Sequence, residues 1–148
     1  MKRIVVTGAN KGIGLAIVKR LLKEHPDVFV YLGSRDLGRG MAAMQEIGSE
    51  MGEQVKKHVK LLQLDVTSDA SVQRSVAIVK EDLANNSSDT LYGVVNNAGG
   101  GISGASASQV IDLNMYGVLR VTEAFLPLLQ NEGNSAISQV TISTPQKL

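Results

Sequence analysis

Cysteine and tryptophan are both absent from this 148-residue chain, and only two histidines occur. Without thiolates there is no disulfide framework and no thiolate metal site, and His25 and His58 are too few for a histidine-built one. Aromatic residues make up 3% of the chain, which excludes a stacking surface for single-stranded nucleic acid. Neither charge sign dominates: 15 basic residues against 14 acidic ones leave a formal +1. That balance gives no bulk reason to expect nucleic acid or an anionic membrane as a partner. Long hydrophobic runs are missing as well. The first apolar run is only Ile4, Val5 and Val6, too short for a secretory core, and no later run approaches a membrane span. Asn85-Asn86-Ser87-Ser88 carries a glycosylation pattern and is read as a polar loop in a soluble, cytoplasmic chain.

What is present points to a glycine-turn fold of aliphatic strands. There are 15 glycines, and 43% of residues are hydrophobic against 20% charged, a globular balance. The length suits one domain over residues 1–148, able to bury about 68–70% of its unfolded surface. Apolar, β-rich runs at 3–7, 28–33, 59–64, 91–95 and 137–143 alternate with helix-patterned segments at 12–23, 37–51, 69–84 and 108–130. The strands read as near-continuous apolar runs, the pattern of strands buried on both faces. In the third helix Val72, Val76, Val79 and Leu83 recur at helical spacing, with Thr67, Ser68 or Asp69 available to cap its start. No internal repeat or low-complexity linker interrupts the alternation. Strictly alternating β and α units predict a doubly wound, Rossmann-type parallel sheet with helices on both faces.

The first strand runs directly into Thr7-Gly8-Ala9-Asn10-Lys11-Gly12-Ile13-Gly14, and a helix follows. In that context Gly8 permits a tight bend, Gly12 lets backbone approach a pyrophosphate, and Gly14 lets the helix pack closely. The free N–H groups at the helix start then face the phosphates. The spacing is Gly-x-x-x-Gly-x-Gly, and no Gly-Lys-Ser/Thr follows, so it is not a P-loop. A glycine turn without a ligand is the alternative. The second strand ends in Ser34-Arg35-Asp36, where the adenosine ribose of a dinucleotide would lie. A carboxylate at the strand end would favour the free 2′-OH of NAD, but Ser34 holds that place and Arg35 follows. Arg35, with Lys11 and Arg39, could neutralise the 2′-phosphate of NADP through charge-assisted bonds worth roughly 1.5–3 kcal/mol each. A solvated loop arginine is the bland alternative.

Two further segments complete a constellation: Leu64-Asp65-Val66 after the third strand, and Val94-Val95-Asn96-Asn97-Ala98-Gly99 at the fourth. With the glycine turn and Arg35-Asp36-Leu37-Gly38-Arg39-Gly40, they resemble the short-chain dehydrogenase/reductase family, its carbonyl reductases in particular. The resemblance covers nearly the whole chain. It implies a sheet of order 3-2-1-4-5, incomplete relative to the family's seven-stranded fold, and NADPH as cofactor in preference to NADH. It implies that Gly8, Asn10, Lys11, Gly12, Ile13, Gly14, Arg35 and Arg39 contact that cofactor. Asp65 and Val66 would border its adenine, while Asn97, Ala98 and Gly99 support the ribose on the nicotinamide side and Asn96 braces the strand ends. For Asp65, a charge at a helix start is compatible with the same role. Asn114, in Asp112-Leu113-Asn114-Met115-Tyr116-Gly117, is similar to the family's active-site asparagine, which sits in a bend of the long helix and serves a proton relay. Thr144 takes the place of the serine that hydrogen-bonds a substrate carbonyl. Simple polarity near a helix start or a strand end is the alternative for these two.

The family's chemistry is hydride transfer to a carbonyl, with a tyrosine supplying the proton and a lysine four residues later lowering its pKa. Four residues after Tyr31, Tyr92 and Tyr116 stand Arg35, Asn96 and Arg120, so the chain contains no Tyr-x-x-x-Lys. The expectation is a chain truncated before that pair. The stretch from Gly99 to Asn114 is also shorter than the family's, with small residues at 100–107. A fifth strand at the sheet edge would expose Ile137, Val140 and Ile142 and invite self-association. Three expectations follow: an NADPH-dependent oxidoreductase of a small-molecule carbonyl substrate, inactive over these residues alone; a non-catalytic NADP(H)-binding module or truncated isoform that pairs with a full-length relative; or a product that does not fold stably.

Overall fold

Strand β1 (Lys2–Val6) shows how the molecule is layered. Successive side chains of a strand point to opposite faces, and all of β1 beyond Lys2 is buried. Val5 therefore joins one core, and Ile4 and Val6 join the other. The computed structural model describes residues 1–86, 90–101, 104–129 and 136–139. Around β1 lie β2 (Val28–Ser34), β3 (Val59–Gln63), β4 (Gly93–Asn96) and β5 (Ala136–Gln139), in one sheet of order β3-β2-β1-β4-β5. Every pairing is parallel, with Val5 opposite Tyr31 and Val94, and Val94 opposite Ile137.

Helices α1 (Gly12–Glu24) and α2 (Leu37–Met51) cover one face, with Leu15, Val18, Ala43 and Ile47 packed on Ile4, Val6, Val30 and Leu32. On the other face lie α3 (Asp69–Asn85) and α5 (Gly117–Phe125), with Val72, Val79, Leu83, Val121 and Phe125 around Val5, Tyr31, Leu62 and Val94. The order and the two covered faces are those expected of a doubly wound sheet. Asp36 caps α2 by accepting from the Arg39 N–H at 2.8 Å, and Ser68 caps α3 by accepting from the Ser71 N–H at 3.3 Å. Of the three residues able to cap α3, Ser68 is the one that does so.

Several expected elements differ in detail. The helix expected over 108–130 is α4 (Ala107–Ile111), a π-helical turn over Asp112–Tyr116 and then α5, so the bend that the resemblance implied at Asn114 is present as that turn. Pro127 lacks the N–H needed to continue the ladder, so α5 stops at Phe125 and a 3₁₀ turn, Leu126–Leu128, follows. The strand expected over 91–95 begins at Gly93, because Leu91 instead bridges Leu129. A 3₁₀ turn, Glu53–His58, precedes β3 where no element was expected. Strand β3 is an edge, so Lys60 and Gln63 are exposed, unlike strands buried on both faces. Of the fifth strand, 136–139 is described; Val140, Ile142, Ser143 and Thr144 lie outside the described residues.

Candidate functional site

At the C-terminal ends of β1, β2, β3 and β4 the described residues form a cleft of about 440 Å³. The reversal of strand order beside β1 opens this crevice, the usual place for a ligand in an open α/β sheet. Gly8, Asn10, Lys11, Gly12, Ile13 and Gly14 line one wall, Arg35 and Arg39 one end, and Asp65, Val66, Asn97, Ala98 and Gly99 the rest. Asp36, Leu64 and Leu113 also reach it.

The glycine turn shows why its residue types are needed. Gly8 has φ 61° and Gly12 φ 55°, in the left-handed region that favours glycine. A Cβ on Gly8 would lie 2.8 Å from the Ala98 Cα, so the turn and the end of β4 are in direct backbone contact. Gly14 is tighter still: its Cβ would sit 2.4 Å from the Asn97 amide nitrogen and 2.5 Å from the Gly8 carbonyl oxygen. Gly14 therefore admits the turn and Asn97 rather than only the strand. A Cβ on Gly12 would meet nothing within 4 Å, which leaves its backbone open.

Thr7 fastens the two walls together. Its hydroxyl oxygen accepts from the N–H groups of Asn97 at 3.0 Å and Ala98 at 2.9 Å. The Asn97 side-chain amide donates back to the carbonyls of Thr7 and Gly8. Asn96, buried, donates to the Thr122 hydroxyl and ties β4 to α5. Sequence reasoning missed Thr7, although a hydroxyl residue between a strand and its glycine turn is a readable sign.

The electrostatics favour an anion. Helix α1 begins at Gly12 with no side-chain cap and no acidic residue in its first turn, so its leading N–H groups face the cleft uncompensated. Lys11, Arg35 and Arg39 are exposed, and among the described residues no carboxylate pairs with any of them. Asp36 stays occupied as the α2 cap. The Asp65 carboxylate accepts from both the N–H and the hydroxyl of Thr67 through Oδ1. An uncapped helix start, three free cations and a glycine cradle together fit a dinucleotide carrying several phosphates.

Asn114 stands beside the cleft rather than in its lining. In the π-helical turn its amide donates to the Gly100 carbonyl at 2.7 Å and its Oδ1 accepts from the Gly100 N–H at 3.0 Å. A Cβ on Gly99 would lie 2.9 Å from that Oδ1. Arg120 lies behind this wall, bound to Asp69, Asp112 and the Val66 carbonyl. Burial opposes its charge, but hydrogen bonds to the two carboxylates hold its pKa above the ordinary arginine value. Its partners Asp69 and Val66 stand 51 and 54 positions away, so no local pattern announces it.

Fold and cleft thus define a dinucleotide-binding α/β protein of the doubly wound class. The chain belongs to the short-chain dehydrogenase family, whose model matches residues 2–145. It is 34% identical to the (+)-neomenthol dehydrogenase of Arabidopsis thaliana, over 96% of this chain and 54% of that protein. Among solved structures, the menthone neomenthol reductase from Mentha piperita superposes with a TM-score of 0.81 at 32% identity, over 93% of this chain and 59% of that one. The NADPH-bound carbonyl reductase from chicken fatty liver gives 0.69 at 32% identity, over 86% and 51%. The chain spans between 34% and 55% of the length of the curated relatives it matches. Family membership and the cleft together support binding of a nicotinamide cofactor. Among the described residues no helix is long and apolar enough to cross a membrane.

Proposed function

We propose that these residues are the NADPH-binding part of an oxidoreductase that reduces a small-molecule carbonyl compound to an alcohol. The observation that carries the cofactor choice is the group of cations lining the cleft, Arg35 just after β2, Arg39 in the first turn of α2 and Lys11 before α1, with no carboxylate partner among the described residues. A 2′-phosphate supplies the anion they lack, and Ser34, which would have to be a carboxylate to favour NAD, is buried with its hydroxyl donating to the Asp36 carbonyl at 2.7 Å. A relative crystallised with NADPH supports the same choice.

Bound in the cleft, the nicotinamide ring supplies hydride chemistry. The chain's own residues bind and orient. The α1 N–H groups and Gly12 would hold the pyrophosphate, Asp65 and Val66 would border the adenine, and Asn97, Ala98 and Gly99 would support the far ribose. By the family resemblance Asn114 would serve the proton relay and Thr144 would hydrogen-bond the substrate carbonyl. A positioned acid is still required, because an unaided tyrosine near pKa 10 is a poor one. The chain has no Tyr-x-x-x-Lys to provide it. Negligible carbonyl reduction is therefore expected of the 148 residues alone, whether they serve as part of a longer oxidoreductase or as a nucleotide-binding module without turnover.

A thermal melt with and without nucleotide tests the cofactor assignment. NADPH at 100 times its dissociation constant should add about 2.7 kcal/mol of stability, and NADH less. Arg35→Asp should abolish the preference while leaving the melt of the free protein in place. Equal shifts by both nucleotides, or none by either, would overturn the assignment.

A further inference from the structure

Facing the glycine turn, the cleft lining has two stretches with no covalent neighbourhood in common: Asp65 and Val66 after β3, and Asn97 to Gly99, which Gly100 follows. One guanidinium joins their supports from behind. Arg120 Nη1 donates to the Val66 carbonyl at 2.6 Å, its Nε donates to Asp69 at the start of α3, and its Nη2 donates to Asp112 at 3.3 Å. Asp112 opens the π-helical turn, and Asn114 follows two residues later with both its amide atoms bonded to Gly100. The back of this turn also rests on the first stretch, since a Cβ on Gly117 would lie 2.9 Å from Val66 Cγ2. In the π-helical turn the backbone bonds reach five residues back, as the Gly117 N–H does to the Asp112 carbonyl, so the turn is wider than the α-helical segments on either side.

We infer that Arg120 is a positioning residue: it fixes the π-helical turn against Val66, and so sets both the placement of Asn114 and the separation of the two stretches of cleft lining. The placement of Asn114 stands on these contacts alone. The consequence for nucleotide affinity rests on the cofactor reading above. A ligand that spans both stretches needs their separation to be right, whereas one that reaches only the adenosine end does not.

The two parts are tested separately in the full chain. Amide hydrogen exchange without ligand reads the first. In Arg120→Met, and more mildly in Asp112→Asn, the Gly100 N–H should exchange about tenfold faster, while Val5 and Val94 in the central strands keep their protection. Unchanged Gly100 exchange, or acceleration equal at all three amides, overturns the positioning role. Binding reads the second: affinity for NADPH should fall about tenfold in Arg120→Met, with affinity for adenosine 2′,5′-bisphosphate little changed. Equal loss for both ligands overturns the spacing role. Failure of the unsubstituted chain to bind either ligand defeats the cofactor reading and the affinity consequence, and leaves the exchange result to decide Arg120 on its own.

Discussion

Arg3 is a charged residue on an interior strand, and its side chain is only 7% exposed. It donates to Asp82 at 2.9 Å and to the Tyr31 hydroxyl at 3.1 Å, and its guanidinium lies 4.4 Å from the centre of the Phe29 ring. Tyr31 donates to the same Asp82 oxygen at 2.6 Å, and Lys60 reaches the other at 2.7 Å. Burial drives the Tyr31 pKa up, and its bond to Asp82 adds to the effect, so it remains a donor. Burial pushes the Asp82 pKa the other way from its neighbours, but Lys60, Tyr31 and Arg3 win and hold it below the ordinary 3.8. A carboxylate whose folded pKa is depressed stabilises the fold above its unfolded value and loses that contribution as pH falls through the folded one. Asp82→Asn is therefore expected to cost about 3 kcal/mol at pH 7, because it leaves a buried arginine unpaired. Urea unfolding should show the gap from the unsubstituted protein narrowing below pH 3.8. A gap that is constant with pH would assign the loss to packing alone.

At the scale of elements, the start of α1 and the π-helical turn each depend on a neighbour distant in sequence. Gly14 lies against Asn97 and the Gly8 carbonyl, whereas Gly12 faces open space with a left-handed backbone. The two glycines therefore predict different costs. Gly14→Ala must separate the turn from the β4 end, an overpacking loss of about 2 kcal/mol, and should remove the nucleotide-induced rise in melting temperature. Gly12→Ala meets only backbone strain, about 1 kcal/mol. Denaturant titration of both variants checks the order; a larger loss for Gly12→Ala would contradict it. This contrast was half legible in the sequence. The Gly-x-x-x-Gly-x-Gly spacing marks a turn before a helix, but the partner that makes Gly14 indispensable sits on another strand.

For the whole molecule, the exposed side of β5 is the feature with consequences in solution. Among the described residues β5 pairs only with β4, and Ile137 is 38% exposed. An apolar edge strand offers unpaired N–H and C=O groups to a second chain. The 148-residue chain is expected to self-associate with rising concentration in sedimentation velocity, and Ile137→Lys should shift it towards monomer. A chain that stays monomeric at every concentration would rule the edge out as an adhesive surface. The doubly wound parallel sheet was legible because each βα unit has its own hydrophobic period and crossovers are right-handed, whereas the strand order was what the family resemblance implied.

The residue pattern carried the sheet, its two covered faces, the glycine turn and the cations near the end of β2, because each was written locally: apolar period, glycine spacing, a cation just past a strand end. Asp65, Val66 and Asn97 to Gly99 came from the family resemblance instead. Tertiary structure decided the rest. The Thr7 clasp on Asn97 and Ala98, the Arg120 link to Val66 and the buried Arg3–Asp82 pair all join groups far apart in the chain. A hydrogen bond between distant residues leaves no period in a sequence, since its geometry exists only after the strands and helices have packed.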